Sequence, residues 1–232
     1  MRGRLDDLDL DEDTRAVVMV ALMEAADRVD STTGVHMAYL KQWARRAHND
    51  LELRMPELVP GTGRAHLESA ATVARTTAAD AAYLDPPYNQ HSYLGNYHVW
   101  ETLVRWDAPE AYGVAQKRID RKTRKCAFNS KREIEGALKE VLDALDVRHV
   151  VVSFNDEGYL SREQLIDMRS PRGHVEVGAI DHARYVGAKI GIHDPSGQKV
   201  GKVSHTRHQE LLFIAPERPA DAKTAAAACT RL

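Results

Sequence analysis

The sharpest constraint in this sequence is the step from a short apolar run, residues 81–84, directly into Asp85-Pro86-Pro87-Tyr88. Each proline fixes its own φ and lacks a backbone N–H, so neither a helix nor a central strand can continue through the pair. The carbonyl oxygens of the turn therefore have few local donors and stay available to another molecule. The tetrapeptide predicts a buried strand that ends abruptly in a rigid turn, with acceptor oxygens and one aromatic ring.

The segments on both sides of this turn alternate between strand and helix patterns, which is typical of an α/β fold. The last two strand patterns bracket a long basic loop, which predicts an antiparallel pair. Ser161 and Gln164 form a capping box, the signature of a helix that begins at about residue 162. Strand patterns cover 65–67, 81–84, 149–154, 174–180 and 209–214, and the other helix patterns cover 68–75, 97–106 and 131–145.

The first sixty residues carry a different pattern. Apolar residues at helical spacing predict one helix over about 12–29 and another over about 33–47. Two prolines and two glycines then interrupt regular structure over 54–63. We therefore predict a helical DNA-contacting or accessory segment over 1–60, a catalytic α/β domain over 61–216, and a flexible tail over 217–232.

Composition excludes several protein classes. With 232 residues and 43% hydrophobic content, the chain can bury a core. It contains no apolar run of membrane-spanning length and no signal peptide, which predicts a cytoplasmic protein that does not contact membranes. The two cysteines, Cys126 and Cys229, are too far apart in sequence to indicate a disulfide framework or a cysteine zinc site.

The formal net charge of −2 conceals an uneven distribution. Basic residues are concentrated in 117–132, whose only acid before Glu133 is Asp120, and again in the loop over 182–207. A polyanion could bind such segments, although a run of this kind taken alone is equally well explained as a solvated loop. The basic residues that we assign to this role are Lys122, Arg124, Lys125, Lys199 and Lys202.

The segment Tyr83-Leu84-Asp85-Pro86-Pro87-Tyr88-Asn89-Gln90, followed by Ser92, Tyr93 and Asn96-Tyr97-His98, resembles the Dam-type class of adenine-specific DNA methyltransferases. Residues 153–158 resemble the strand-to-loop segment that follows the catalytic motif in that class, and 210–213 resemble its final strand. The resemblance covers about 64–215. It implies a Rossmann-like S-adenosylmethionine-dependent methyltransferase fold, here partial because its first strands are missing, joined to the N-terminal helical segment.

The resemblance also implies an activity, which is transfer of the methyl group of S-adenosylmethionine to the exocyclic amino group of a flipped adenine in DNA. The catalytic residues would be Asp85, Pro86, Pro87 and Tyr88. The Asp85 carboxylate and the Pro86 carbonyl would accept the two amino hydrogens, and the Tyr88 ring would stack on the base. Asp85 and Glu68 are the expected cofactor-binding residues, while Tyr93 and Tyr97 join the basic residues as expected DNA contacts.

Several of these residues have plainer interpretations. Glu68 could be only a helix-start acid, and at least one of Tyr93 and Tyr97 could be an ordinary packed or surface aromatic. Gly61-Thr62-Gly63 lacks a preceding strand and a third glycine, so we interpret it as a turn. The spacing of four histidines matches no metal-ligand pattern, so we expect no metal. They are His182, His193, His205 and His208.

One departure from the family pattern affects the cofactor. The Dam-type class has a glycine loop similar to Phe-x-Gly-x-Gly that binds the methionine end of S-adenosylmethionine. None of the three phenylalanines of this chain is followed by such a pattern. The sequence therefore leaves three hypotheses open: a methyltransferase truncated at its N-terminus or completed by a separate chain that carries the glycine loop, an inactive remnant that still binds DNA, or an amino-group methyltransferase that acts on RNA or protein.

Overall fold

The computed structural model describes residues 1–37, 42–169, 173–183, 192–193, 199–201 and 207–215. Contacts divide the chain into two compact units. The first unit comprises Met1–Arg64 and Tyr93–Lys125, and the second comprises Ala65–Ser92 and Cys126–Leu232. No helix among these residues is long and apolar enough to span a membrane. The three-part domain division predicted from the sequence stays a prediction.

The described residues form α-helices, short 3-10 helices and strands. The α-helices are α1 (Arg2–Leu5), α2 (Glu12–Arg28), α3 (Ala70–Thr76), α4 (Tyr93–Asn96), α5 (His98–Arg105), α6 (Ile134–Ala144) and α7 (Arg162–Arg169). The 3-10 helices cover Arg45–His48, Ile119–Lys122 and Ala127–Asn129. The strands are β1 (Ala81–Leu84), β2 (Ala111–Tyr112), β3 (Lys117–Arg118), β4 (His149–Asn155), β5 (Glu176–Ala183), β6 (Ile192–His193), β7 (Lys199–Gly201) and β8 (Arg207–Ala215).

The second unit contains a mixed sheet with strand order β1-β4-β8-β5. β1 and β4 are parallel, with Leu84 opposite Val152, and β8 is antiparallel to both β4 and β5. The α/β class, the strands over 81–84 and 149–154, and the final antiparallel pair are confirmed. The strand predicted over 65–67 is wrong: these residues have no regular structure, and Leu67 is fully exposed, so a strand there would bury nothing.

Strand β1 differs from its prediction in one respect. It was expected to be buried, but its residues alternate between exposed and half-buried, and the Tyr83 side chain is 62% exposed. Among the described strands β1 pairs only with β4, so it is an edge strand of this sheet. An apolar run predicts a strand but does not reveal how many neighbours the strand has.

The core of the second unit lies between the sheet and helix α6. Val150, Val152 and Phe154 of β4 point to one face, where they pack against Ile134 and Leu138 of α6. Helix α3 packs on the same helix through Ala71 and Ala74, which contact Val141. The capping box is confirmed: the Gln164 N–H donates to Ser161 Oγ at 3.2 Å, and the Ser161 N–H donates to Gln164 Oε1 at 2.9 Å.

The first unit is held by the packing of α2 against α1 and α5. The Asp11 carboxylate caps α2 by accepting from the Thr14 N–H at 2.9 Å, which confirms the helix predicted over 12–29 within one residue at its end. Leu5, Met19 and Leu22 form a small buried cluster with Leu103 packed against it. The helices predicted over 97–106 and, in the second unit, 68–75 and 131–145 are also confirmed.

The helix predicted over 33–47 is wrong in the described part of that segment. Thr32 Oγ1 bonds the Asp30 carboxylate and accepts from the Gly34 N–H at 3.2 Å, and Gly34 has a φ of +94°. The Ser31 hydroxyl accepts from the Ala44 N–H at 2.8 Å, and only Arg45–His48 form a short 3-10 helix. Small polar side chains here bind the backbone and replace the helical hydrogen bonds.

Candidate active site

The tetrapeptide Asp85–Tyr88 directly follows β1, so it lies at the carboxyl end of a strand that is parallel to β4. Because Leu84 lies opposite Val152, Asp85 leaves the sheet at the level where β4 continues to Asn155. The Asp85 residue is exposed, whereas Pro86, Pro87 and Tyr88 are half-buried. The structure thus places an exposed carboxylate at the edge of the sheet where α/β proteins bind ligands.

The Tyr88 ring is held by the core rather than by the turn itself. It meets the fully buried Phe154 ring edge to face, with 5.9 Å between centroids and 60° between planes. The Tyr88 carbonyl accepts from the Tyr159 N–H at 2.9 Å. These two contacts fix one edge of the ring and the backbone behind it, while the half-buried side chain keeps part of its surface accessible.

The three residues after Tyr88 form a hydrogen-bonded loop. The His91 N–H donates to Asn89 Oδ1 at 2.9 Å, which closes an Asx turn. Asn129 Nδ2 donates to the Asn89 carbonyl at 2.7 Å and to the His91 carbonyl at 3.2 Å. The Tyr159 hydroxyl donates to Gln90 Oε1 at 3.0 Å. Two residues distant in sequence therefore hold the backbone that leaves the tetrapeptide.

A buried polar cluster lies at the same end of the sheet. Ser153 and Asn155 of β4 are 4% and 3% exposed, and both side chains donate to the Glu210 carboxylate of β8. Asn155 Oδ1 also accepts from the Glu157 N–H at 3.0 Å, which shapes the turn after β4. The two downstream segments in which the sequence resembled the methyltransferase class are thus in contact, and their buried polar groups satisfy one another.

Glu68, the second expected cofactor ligand, is exposed and lies just before Ser69, the N-cap of α3. The Ser69 hydroxyl accepts from the Thr72 N–H at 3.2 Å, so the cap itself does not use Glu68. The interpretation of Glu68 as a helix-start acid fits this position, and its role toward the cofactor stays a prediction. Gly61 has a φ of +146° in a bend, as expected for the turn Gly61-Thr62-Gly63.

The two expected DNA-contacting tyrosines belong to the first unit. Tyr93 and Tyr97 are stacked, with 6.2 Å between ring centroids, and Tyr93 is 61% exposed. Tyr97 is half-buried and meets the His36 ring edge to face at 6.1 Å. Packing thus accounts for Tyr97, whereas the Tyr93 side chain is mostly exposed. Contact with DNA stays a prediction for both.

Part of the basic segment is used inside the first unit. Arg118 is only 2% exposed; it donates to the Asp107 carboxylate through two nitrogens at 2.7 Å and also binds Asp120. The Arg118 guanidinium holds the pKa of Asp107 well below the usual range of a carboxyl, and it also lowers the pKa of Asp120. This pairing, which sequence spacing did not reveal, removes one cation from any DNA-binding surface.

The three basic residues singled out in this segment differ in their surroundings. Arg124 bonds Glu101 at 2.7 Å and Asp120 at 3.4 Å. Lys122 lies over the Tyr112 ring, with Nζ 4.3 Å from the centroid. Lys125 is exposed and makes no ion pair within the described residues. Lys125 is therefore the best placed of the three to bind phosphate.

The remaining expected positions fall in the loop between β5 and β8. Lys199 lies in β7, which pairs with β6, whereas Lys202 lies outside the described residues. Of the four histidines considered as metal ligands, His205 also lies outside them. Within the part of the chain that the structure describes, no group of three or more histidine, cysteine or acidic residues could hold a metal ion.

Comparison with known proteins adds a finding that does not depend on this geometry. Residues 4–168 match the profile of the D12 class N6 adenine-specific DNA methyltransferase family. The chain belongs to this family. The matched region includes the tetrapeptide, Asn129 and the β4 end with Asn155, so the family match and the arrangement at the carboxyl edge of the sheet concern the same residues.

Individual relatives of this D12-class chain are modification enzymes. The Type II methyltransferase M.FokI of Planomicrobium okeanokoites is 31% identical over 68% of this chain and 25% of its own length. Modification methylase StsI of Streptococcus sanguinis is 31% identical over 72% of this chain and 26% of its own length. Type II methyltransferase M.NlaIII of Neisseria lactamica is 26% identical over 76% of this chain and 52% of its own length. The chain spans a quarter to about half of the length of these relatives. No solved structure matches it.

Two site residues of the D12-class chain were missed by sequence reasoning. Asn129 and Tyr159 bond the loop after Tyr88 from positions 40 and 69 residues away from their partners in sequence. No local pattern marks an asparagine as the donor to a distant carbonyl. Asn129 lies in the basic segment, whose lysines and arginines predict phosphate contacts but say nothing about a neutral asparagine. Tyr159 follows Gly158 in a turn, which does not indicate a binding partner.

Proposed function

We propose that this chain provides the target-base half of an adenine-specific DNA methyltransferase, which transfers the methyl group of S-adenosylmethionine to the exocyclic amino group of a flipped adenine. The observation that carries the proposal is the exposed Asp85 carboxylate at the carboxyl end of β1, followed by a Tyr88 ring fixed against the buried Phe154. Membership of the D12 class supports it.

The chemistry required of these residues is modest and geometric. The adenine amino lone pair is delocalised into the ring, so the nitrogen becomes nucleophilic only as it moves toward a tetrahedral geometry. The Asp85 carboxylate and the Pro86 carbonyl would each accept one amino hydrogen and stabilise the positive charge that develops on nitrogen. Pro87 holds the turn rigid, and the Tyr88 ring would stack on the base, which contributes about 1–3 kcal/mol. No covalent intermediate with the protein is required.

S-adenosylmethionine would supply the methyl group from its sulfonium, and the neutral thioether would be the leaving group. The described residues fit only part of this molecule. The exposed carboxylates of Asp85 and Glu68 suit its ammonium and hydroxyl groups, but among the described residues no glycine with positive φ follows a strand and precedes a helix. Such a loop is what a cofactor's terminal carboxylate needs. The described residues therefore do not account for binding of the whole cofactor.

We propose that a segment carrying the glycine loop, such as one on a separate chain, completes the enzyme along β1 within a Rossmann-like sheet. Strand β1 pairs on one side only among the described strands, and its Tyr83 is 62% exposed. Its pairing with β4 is parallel, which suits continuation of a parallel sheet. An open strand edge with an exposed aromatic is costly to leave uncovered, so a partner strand there would gain both backbone hydrogen bonds and apolar burial.

Duplex DNA is the proposed substrate. The exposed side chains of Lys125 and Lys122 and the exposed Tyr93 ring would contact the DNA, with Tyr97, Arg124, Lys199 and Lys202 as further proposed contacts. The basic segment favours a nucleic acid over a protein substrate. If the chain instead methylated protein, neutral substitutions at Lys122 and Lys125 would leave substrate binding unchanged. An RNA substrate would be shown by methylation of RNA in place of duplex DNA, because both carry the phosphates that these lysines would bind.

The proposal is tested with labelled S-adenosylmethionine and unmethylated duplex DNA, using the chain alone and the chain mixed with a protein that carries the glycine loop. We expect N6-methyladenine with the wild-type chain and none with Asp85→Ala, while DNA binding by Asp85→Ala stays within about twofold, because phosphate contacts dominate affinity. Asp143→Asn, which changes an exposed carboxylate on α6, is the control. Activity that persists in Asp85→Ala would refute the mechanism, and DNA binding without methylation both by the chain alone and in the mixture would favour the inactive remnant.

A further inference from the structure

The loop that follows Tyr88 is held by a side chain whose own position is fixed by the core. Asn129 ends the 3-10 helix Ala127–Asn129, and the preceding Phe128 is half-buried against both core clusters of the second unit. The Asn129 N–H donates to the Cys126 carbonyl at 3.0 Å. Because Phe128 anchors this short helix, the Asn129 amide is presented from a rigid base.

The Asn129 amide bridges the two ends of one tight turn. Its Nδ2 donates at 2.7 Å to the carbonyl of Asn89, which follows Tyr88, and at 3.2 Å to the carbonyl of His91. The turn between them is closed by the His91 N–H on Asn89 Oδ1. One NH₂ group thus satisfies two carbonyls that point the same way, and a carboxylate in its place would repel both.

From these contacts we propose that Asn129 is a positioning residue for the reaction, since it sets the backbone of the loop directly after Tyr88, and this backbone together with the Phe154 contact orients the Tyr88 ring toward a flipped adenine. This rests on the proposed function. The Tyr159 N–H donates to the Tyr88 carbonyl, and Asn129 Nδ2 donates to the carbonyl of the next residue, Asn89. These two bonds hold the backbone on the C-terminal side of the Tyr88 ring. Without the Asn129 bonds the loop is free to shift, and with it the ring and the acceptor oxygens of the tetrapeptide. Displacement of about 1 Å at a reacting centre can cost up to a hundredfold in rate.

The decisive variant is Asn129→Asp, because the two side chains have nearly the same shape and differ in donor capacity. Asn129→Ala removes the amide altogether and serves if the carboxylate prevents folding. The matched control is Gln209→Glu, the same amide-to-carboxylate change at an exposed residue of the same unit, where Gln209 Nε2 donates to Asp181 at 3.0 Å. A role in packing alone would be lost in Asn129→Ala and kept in Asn129→Asp.

Three measurements separate positioning from a general structural role. We expect Asn129→Asp to raise the amide exchange rate of a peptide covering 85–92 by at least roughly tenfold, without change in a peptide from β4. The turnover number for adenine methylation falls roughly tenfold or more with the KM for DNA within about twofold. The fluorescence of 2-aminopurine at the target position, which reports extrusion without requiring methyl transfer, changes relative to wild type, whereas Gln209→Glu matches wild type throughout.

The outcomes distinguish this inference from the function on which it rests. A wild-type enzyme that methylates adenine, with Asn129→Asp and Asn129→Ala equal to it in loop exchange and turnover, would overturn the positioning role alone. Faster loop exchange in both variants together with unchanged turnover would also overturn it, because the loop would then be free to move without consequence. A wild-type chain that neither extrudes 2-aminopurine nor methylates DNA, even with the glycine-loop protein present, would instead refute the proposed function, while loop exchange would still decide whether Asn129 holds the turn.

Discussion

Gly158 offers the most direct test of how the core supports Tyr88. It lies in the turn after β4, and its N–H donates to the Asn155 carbonyl at 2.9 Å. A Cβ placed on Gly158 would lie 2.3 Å from Cε1 of Phe154 and 3.0 Å from Cδ1 of the same ring. Phe154 is fully buried and meets Tyr88 edge to face, so the ring can retreat only into a filled core or toward the tetrapeptide.

The expected cost of Gly158→Ala follows from this overlap. Ordinary carbon contacts are about 3.5–4.0 Å, so the ring edge must move by more than about 1 Å. Overpacking of a filled core costs about 1–3 kcal/mol, and an overlap this deep belongs at the upper end, about 2–3 kcal/mol. In a chain of this size each kcal/mol lowers the unfolding midpoint by about 2–4 °C, so the midpoint should fall by roughly 4–12 °C. Methyl transfer should fall about tenfold with the displaced Tyr88.

Gly136→Ala is the control, because Gly136 lies in helix α6 and a Cβ there meets nothing within 4 Å. This change should raise the free energy of unfolding by up to about 1 kcal/mol, since alanine is the better helix former. Circular dichroism through thermal unfolding measures both variants. If Gly158→Ala unfolds at the wild-type temperature, or if both variants shift alike, the close approach of Gly158 to Phe154 does not restrain the ring and the support assigned to Tyr88 is refuted.

Two further predictions concern charge in the first unit. Lys125→Ala should reduce the magnitude of the slope of log K against log salt for DNA binding by about 1. Arg124→Ala should change this slope much less, because Glu101 and Asp120 already neutralise Arg124. Fluorescence anisotropy over a salt series measures the slopes, and equal slopes for the two variants would contradict the prediction. Arg118 lowers the pKa of Asp107 and Asp120 in the folded chain, so their stabilisation is fully present above the ordinary carboxyl pKa of 3.8 and is lost as the pH falls below it. All three tryptophans, Trp43, Trp100 and Trp106, lie in the first unit, so their fluorescence during urea unfolding should report this acid loss, and Arg118→Met should abolish it.

Sequence patterns predicted the elements whose stability depends on local spacing and burial. Strand β4, helix α6 and the capping box of α7 follow from apolar periodicity and from one pair of side chains three residues apart. The helix expected over 33–47 failed because its apolar spacing competed with the Asp30-to-Gly34 turn, which polar side chains stabilise through contacts that periodicity does not count. The large exposed side chain of Trp43, at 76%, shows that its helical spacing was coincidental.

The candidate site divides in the same way. The tetrapeptide could be predicted because two prolines and a preceding strand are local features. The partners that position it could not be, since Phe154, Asn129 and Tyr159 meet the loop only after the sheet has assembled. Charge was equally hidden: the basic segment suggested phosphate contacts, but Arg118 is consumed by two carboxylates, and spacing cannot tell an internal cation from an exposed one.

These distant contacts also bear on the choice between an active half-enzyme and an inactive remnant. A remnant that only binds DNA needs basic residues and a stable fold, and the tetrapeptide could persist in it merely as a proline turn. Such a remnant has no need for the three contacts that restrain this loop. These are the Phe154 ring against Tyr88, the Tyr159 hydroxyl bonded to Gln90, and the Asn129 amide bonded to the carbonyls of Asn89 and His91. Ordering that loop costs conformational entropy, about 1–2 kcal/mol per residue, for no gain in DNA affinity. The restraint on Asp85–Tyr88 and the loop after it therefore favours a site that still positions a base.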